Sequence, residues 1–348
     1  ELLESDHWDI VPGGKYYVTR NNTSILAFKV GTKLDNYSFN IVTSHTDSPT
    51  FKVKENAEIE VKNKYTQLNT EGYGGMLCAT WLDRPLSIAG RVLVSEGNSI
   101  VTKLLNIDRD LLMIPNVAIH MNRAANDGFK YNLQVDMLPL LSGGDDRQKD
   151  FKQIIADELG VKKEDILGHD LYLYNRMAPS IWGANEEFIS AGHLDDLQCG
   201  FASLKALLAG YNDESIDIMA CFDNEEVGSG TKQGADSTLL RDTLIRINNA
   251  LGKTEEDYHR ALASSFMLSA DNAHAVHPNH PEHTDVTNCT YMNEGVVVKS
   301  HAGQKYTSDG VSMAVVKSLA SGADVPLQYF ANRSDKAGGS TLGNIAMA

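Results

Sequence analysis

The chain has 348 residues, 42% hydrophobic and 22% charged, an ordinary globular composition with room for two domains or one large one. Its formal net charge of −15 argues against a broad nucleic-acid surface and against docking on anionic membranes. No apolar run approaches the roughly 20 residues needed to span a bilayer; the four cysteines fall in no CxxC spacing, so no zinc ribbon or redox motif is suggested, and their sparse scatter fits a reducing, cytoplasmic setting without excluding a vacuolar one.

The first 30 residues read as β structure, with Tyr16–Val18 and Ile25–Phe28 flanking Asn21-Asn22 as a hairpin. A second apolar run, Phe39–Val42, leads into Ser44-His45-Thr46-Asp47-Ser48-Pro49, where the proline ends the strand. From 51 to about 140 the pattern is short and alternating, as at Phe51–Lys54, Ile59–Lys62 and Ile88–Val94, which predicts a β-rich block. A helix beginning near Phe151 stops at Gly160, and Leu171–Tyr174 leads back out. From 185 the pattern becomes α/β. Leu197, Phe201, Leu204 and Leu208 give an amphipathic stripe closed by Gly210; a buried strand follows at 216–222, then mostly helix over 236–263 with a break near Gly252. A further strand, Phe266–Ala270, ends at Asp271. The simplest architecture is an α/β domain interrupted by a β-rich insertion.

Charge sits where it is informative. The apolar run 216–222 ends in Asp223-Asn224-Glu225-Glu226, three acids in four residues, followed by glycines. A strand end facing a cavity tolerates such charge; a strand interior does not. His45 and Asp271 also follow strands, and Asp195-Asp196 precedes a helix. In open α/β sheets ligands gather at the carboxyl ends of strands, so these side chains could converge. Imidazole plus carboxylate suits zinc, with cobalt or manganese as substitutes. Asp47, two residues after His45, can accept the second imidazole N–H. Taken singly, each has an ordinary explanation: Asp195 as a helix N-cap, Asp271 as a turn residue, the Glu pair as a solvated bend.

The strings SHTDSP (44–49), LNTEGYGG (68–75), TWLDRPLSIAGRV (80–92), IPNVAIHMNR (114–123), HLDDL (193–197), FDNEEVGSGT (222–231), SADNAHAVHPNHPE (269–282) and RSDKAGGSTLGN (333–344) resemble, in order and along the whole chain, the M18 metalloaminopeptidases. The resemblance implies a catalytic α/β domain with a mixed central sheet flanked by helices (1–48 and 181–348) and an inserted β-rich dimerisation domain (49–180). It implies two divalent ions per subunit, zinc first. His45 and Asp271 would hold one, Glu226 the other, and Asp195 would bridge them. Glu225 would be the general base, Asp47 would orient His45, and His120 would reach the active site of a neighbouring subunit. Lys299 would recognise acidic side chains. The implied substrate is a peptide with N-terminal Asp or Glu, although some relatives favour neutral residues, and the implied assembly is a homodimer built into a dodecamer. A carboxypeptidase or N-deacylase on the same scaffold, and a non-catalytic structural or cargo protein, are the competing readings. Three departures accompany the match. The chain stops before the strand expected to carry a final metal-binding histidine, which suggests an omitted C-terminal segment, as the start at Glu1 suggests an omitted N-terminal one. His193 stands where relatives commonly carry Arg and reads as a helix-entry residue. Lys336 stands where an uncharged residue is expected.

Overall fold

The computed structural model describes residues 1–144, 150–336 and 338. The chain forms two compact units, Glu1–Asp47 with His193–Ala348, and Ser48–Gly192.

In the first unit, β1 (Lys15–Arg20) and β2 (Ser24–Val30) form the expected antiparallel hairpin. Asn21 and Asn22 turn it with positive φ, a conformation asparagine tolerates better than most residues. Strand β3 (Ser38–His45) follows. The second unit supplies β4 (Thr50–Val61), β5 (Tyr65–Tyr73), β6 (Leu86–Glu96), β7 (Ser99–Asn106), β8 (Leu140–Gly143), helix α1 (Phe151–Leu159) and β9 (Ile166–Asn175). These strands make one antiparallel sheet in the order β7-β6-β9-β4-β5-β8. Alternation places Phe51, Val53, Leu68, Ile88 and Val92 in its core, with Ile155 of α1. Asp150 caps α1 by accepting from the Gln153 N–H, and Gly160 closes it in the left-handed conformation at φ 64°. A small hairpin of β10 (Ser180–Trp182) and β11 (Phe188–Ser190) ends this unit.

The first unit resumes with α2 (Leu194–Ala209), β12 (Ser215–Phe222), α3 (Leu239–Ala250), α4 (Glu255–Ala263) and β13 (Phe266–Ser269). The break anticipated near Gly252 separates α3 from α4. A parallel pair, β14 (Val296–Ser300) and β15 (Leu327–Ala331), is joined through α5 (Gly310–Gly322). The main sheet runs β1-β2-β12-β3-β13. Strand β12 is antiparallel to β2 and parallel to β3, and β13 is parallel to β3. Phe28, Phe39, Ile216, Ile218, Leu239 and Ile247 pack the core on one face. Burying each such side chain contributes about 1.5–3 kcal/mol.

Helix α2 closes at Gly210 as expected. The stripe Leu197, Phe201, Leu204 and Leu208 faces outward, with Phe201 and Leu208 both 65% exposed. Helix α2 approaches the sheet through small residues instead. Ser203 is buried, and a Cβ on Gly200 would come within 3.5 Å of Cys221 Sγ and 3.6 Å of Ser44 Oγ. Among the described residues no helix is long and apolar enough to cross a membrane.

Candidate metal centre

The three parallel strands set the site. In their register Phe222 lies opposite His45, and Ser269 opposite Thr43. His45, the acids after Phe222 and Asp271 therefore leave the sheet at one carboxyl edge. Ala270 N–H donates to Thr43 O at 2.8 Å, holding the approach to Asp271 against β3.

His45 is 2% exposed. Its Nδ1 is 3.1 Å from the Asp47 carbonyl oxygen and 3.4 Å from Asp47 Oδ1, while Nε2 is 3.6 Å from Asp195 Oδ1. Asp47 therefore does contact the imidazole, but its backbone oxygen is the nearer acceptor. Its carboxylate is also occupied elsewhere, accepting the backbone N–H groups of Glu225 at 3.0 Å and Glu226 at 3.1 Å. Asp47 thus fixes the short turn at Glu225–Val227 that presents both glutamates. Asn224 enters this turn at φ 63° and Gly228 leaves it at φ 95°.

One ligand atom each from His45, Asp195 and Asp271 lie within 4.8 Å of one another, and so do one each from His45, Glu225 and Glu226. The peptide bond between Asp195 and Asp196 is cis. Asp196 turns inward, fully buried, and accepts the His45 backbone N–H at 3.0 Å. Sequence reasoning assigned Asp196 no role; the only signal for it was the Asp doublet. Lys299, at the end of β14, donates to Asn272 O at 2.6 Å and lies 3.4 Å from Asp271 Oδ2. His120 lies in the second unit, exposed, with Nδ1 3.5 Å from Arg123 Nη2. His193 immediately precedes α2 with φ 60° and makes no side-chain cap. Lys336 is exposed, with its N–H on Arg333 O. Most of the Gly-rich stretch that follows lies outside the described residues.

The electrostatics are those of crowded acid. Burial pushes Glu225 up to about 6 and Glu226 up to about 7, and neighbouring carboxylates add to both shifts. Burial raises Asp271, against the pull of Lys299. Burial also lifts Asp196 to about 6, opposed by Cys199 and the His45 N–H. His45 moves the other way from a lone buried imidazole. Burial disfavours its cation, but Asp195 and Asp47 override that and raise it to about 11. Asp195 is held below its usual range by His45. One imidazole and several acids thus compete for protons in a small volume. Their donors are nitrogen and oxygen, the set a zinc-class divalent ion prefers, and its charge would relieve the repulsion.

A family model described as "Aminopeptidase I zinc metalloprotease (M18)" matches residues 1–348. The chain belongs to the M18 aminopeptidase family. It is 49% identical over 351 residues to "Probable M18 family aminopeptidase 2" of Clostridium acetobutylicum, covering 99% of this chain and 81% of that protein. Among solved structures, a chain of the Ape4 and Nbr1 complex superposes with TM-score 0.94 at 35% identity, over 99% of this chain and 71% of that one. A chain of the S. cerevisiae mApe1 dodecamer gives TM-score 0.82 at 28% identity, over 99% and 78%. This M18 chain is accordingly a peptidase hydrolase of a zinc metalloprotease family, with the mixed α/β fold expected from its sequence.

Proposed function

We propose that this M18 chain is a dinuclear metal-dependent aminopeptidase that prefers N-terminal Asp or Glu. The observation that carries the reading is the convergence of His45, Asp195, Asp271, Glu225 and Glu226 at one sheet edge. His45 and Asp271 would hold one ion, Glu226 the other, and Asp195 both. Zinc is the expected metal, with cobalt or manganese able to substitute. Bound there, the ions would supply Lewis acidity to the scissile carbonyl and lower the pKa of the attacking water.

The chain's own residues do the remainder. Glu225, held by the Asp47–N–H contact and raised towards neutrality, takes the water's proton and returns it to the leaving amine. Asp47 keeps the imidazole and the glutamate turn in register. The substrate's free amino group would be held beside the second ion position at Glu226 with the help of the surrounding acids, which would restrict cleavage to chain ends. His120 from a second copy would stabilise the developing oxyanion, with the second unit as the dimerisation element. The dodecameric mApe1 neighbour supports a homo-oligomer of dimers. Four free thiols, Cys78, Cys199, Cys221 and Cys289, support a cytoplasmic location.

Acidic preference rests on Lys299. One observation favours the neutral alternative: the Lys299 ammonium is already engaged by Asp271 and Asn272 O. Lys299→Ala separates the two. Under acidic recognition kcat/KM falls on Asp and Glu substrates and holds on Leu substrates; an equal fall on both would assign Lys299 to holding Asp271. The broader test is a panel of N-terminal residues with and without added zinc, cobalt or manganese, with metal counted per subunit. Acetylating the substrate's amino terminus should abolish turnover, whereas a deacylase would retain it.

A further inference from the structure

Outside the catalytic carboxylates lies a second convergence of nitrogen and oxygen donors, in the segment His277-Pro278-Asn279-His280-Pro281-Glu282-His283. The backbone here advances by three-residue turns. His280 N–H donates to His277 O at 3.0 Å, His283 N–H to His280 O at 3.1 Å, and Thr284 N–H to Pro281 O at 3.3 Å. Pro281–His283 form one turn of 3₁₀ helix, and the three imidazoles are neighbours in sequence order. Ring centroids are 5.4 Å apart for His277 and His280, and 5.0 Å for His280 and His283, the latter pair nearly parallel at 10°. Pro278 and Pro281 stiffen the segment by fixing φ.

Glu282 is aimed at these rings. Its Oε1 lies 3.0 Å from His280 Nδ1 and 3.6 Å from His283 Nε2. One ligand atom from each of the three residues lie within 4.8 Å of one another. Tetrahedral zinc with bonds near 2.0–2.1 Å separates its ligand atoms by roughly 3.3 Å, so the two short distances bracket the ideal edge. The nearest guanidinium, that of Arg333, donates to the Glu282 backbone oxygen and pairs its other nitrogens with Asp335. His277 Nδ1 accepts the Asn279 N–H at 3.2 Å and is left out of the ligand set.

We propose that His280, Glu282 and His283 form a surface site for a divalent transition ion of the zinc class, sharing no residue with the catalytic cluster. Two imidazoles and a carboxylate leave a fourth position to water or to a group from outside. All three side chains are more than half exposed, so an ion reaches them directly from solvent.

The test counts metal rather than activity. Protein saturated with zinc at the catalytic centre and desalted is dialysed against zinc chloride. Wild type should take up one more ion per chain than the double variant His280→Ala, His283→Ala. Glu282→Gln should bind that ion about 10–100-fold more weakly. Equal uptake by wild type and double variant overturns the site. An independent measurement needs no variant: wild-type crystals soaked in zinc should show an anomalous peak between His280 and His283, and a map without one overturns the proposal as well.

Discussion

At the scale of single residues, the division of labour between Asp47 and Glu225 makes the sharpest expectations. Glu225→Gln removes the carboxylate proposed to accept the proton but keeps shape and the N–H bonded to Asp47. Its kcat should fall about 10²–10⁴-fold with metal content unchanged, as read by steady-state kinetics beside elemental analysis. Asp47→Ala should do something different. It frees the two backbone N–H groups of the glutamate turn and removes the carboxylate 3.4 Å from the imidazole, while the backbone oxygen contact to His45 stays, so both metal retention and kcat should drop. The raised carboxyls also set a pH dependence in the metal-free protein. Glu225 and Glu226 bind protons more tightly folded than unfolded, so their contribution to stability is lost as pH rises from about 4.5 through about 6 and 7. His45, raised to about 11, has the same sign: its contribution is full below about 6.5 and lost as pH climbs through its folded value. Metal-free protein should therefore show a falling Tm from pH 5 to pH 8, and added zinc should flatten or reverse the slope. A metal-free Tm that rises over this range would contradict the crowded-acid description.

At the scale of elements, local signals were reliable wherever backbone chemistry alone decides. The Asn21-Asn22 turn, the Gly160 stop and the break near Gly252 were all legible because a side chain or its absence fixes φ there. Helix α4 belongs to the same class. Thr254 Oγ1 accepts the Asp257 N–H at 3.2 Å, and Asp257 returns the favour to the Thr254 N–H at 2.9 Å. Thr254→Ala should cost about 1 kcal/mol, seen as a lower denaturation midpoint with activity per folded molecule intact. The clustering of charge at strand ends was also readable, since only a sheet edge accommodates three acids after a buried run. What could not be read is which way things face. Asp196 and Asp195 are neighbours of identical chemistry, yet one is sealed beneath His45 and the other reaches its Nε2. The stripe on α2 has helical spacing, but period fixes only that residues share a face, not that the face meets the sheet. Beyond the strand that ends near Lys299, α5 and β15 went unread, α5 because its apolar residues are spread around the helix rather than gathered on one face.

At the scale of the whole molecule, several large apolar side chains of the described residues are exposed, among them Phe201 and Leu208 on α2, each 65%, and Val311 on α5, 73%. The isolated chain should bind a hydrophobic dye and self-associate with rising concentration. Phe201→Glu with Leu208→Glu should reduce both, by fluorescence and light scattering, while leaving the unfolding free energy within about 1 kcal/mol of wild type, since both side chains are mostly exposed.

The interrupted order of the first unit has a temporal consequence. Strand β3 finds its parallel neighbours β12 and β13 only after the whole of Ser48–Gly192 has emerged. During synthesis His45 and Asp47 therefore wait about 150 residues for Asp195 and about 230 for Asp271, or some 8–45 s at ordinary translation speed. The intervening stretch has its own sheet and its own core, so it can condense first and shorten the span that β3 must close. The carboxylate edge therefore assembles only late in synthesis, once residues far along the chain have joined β3.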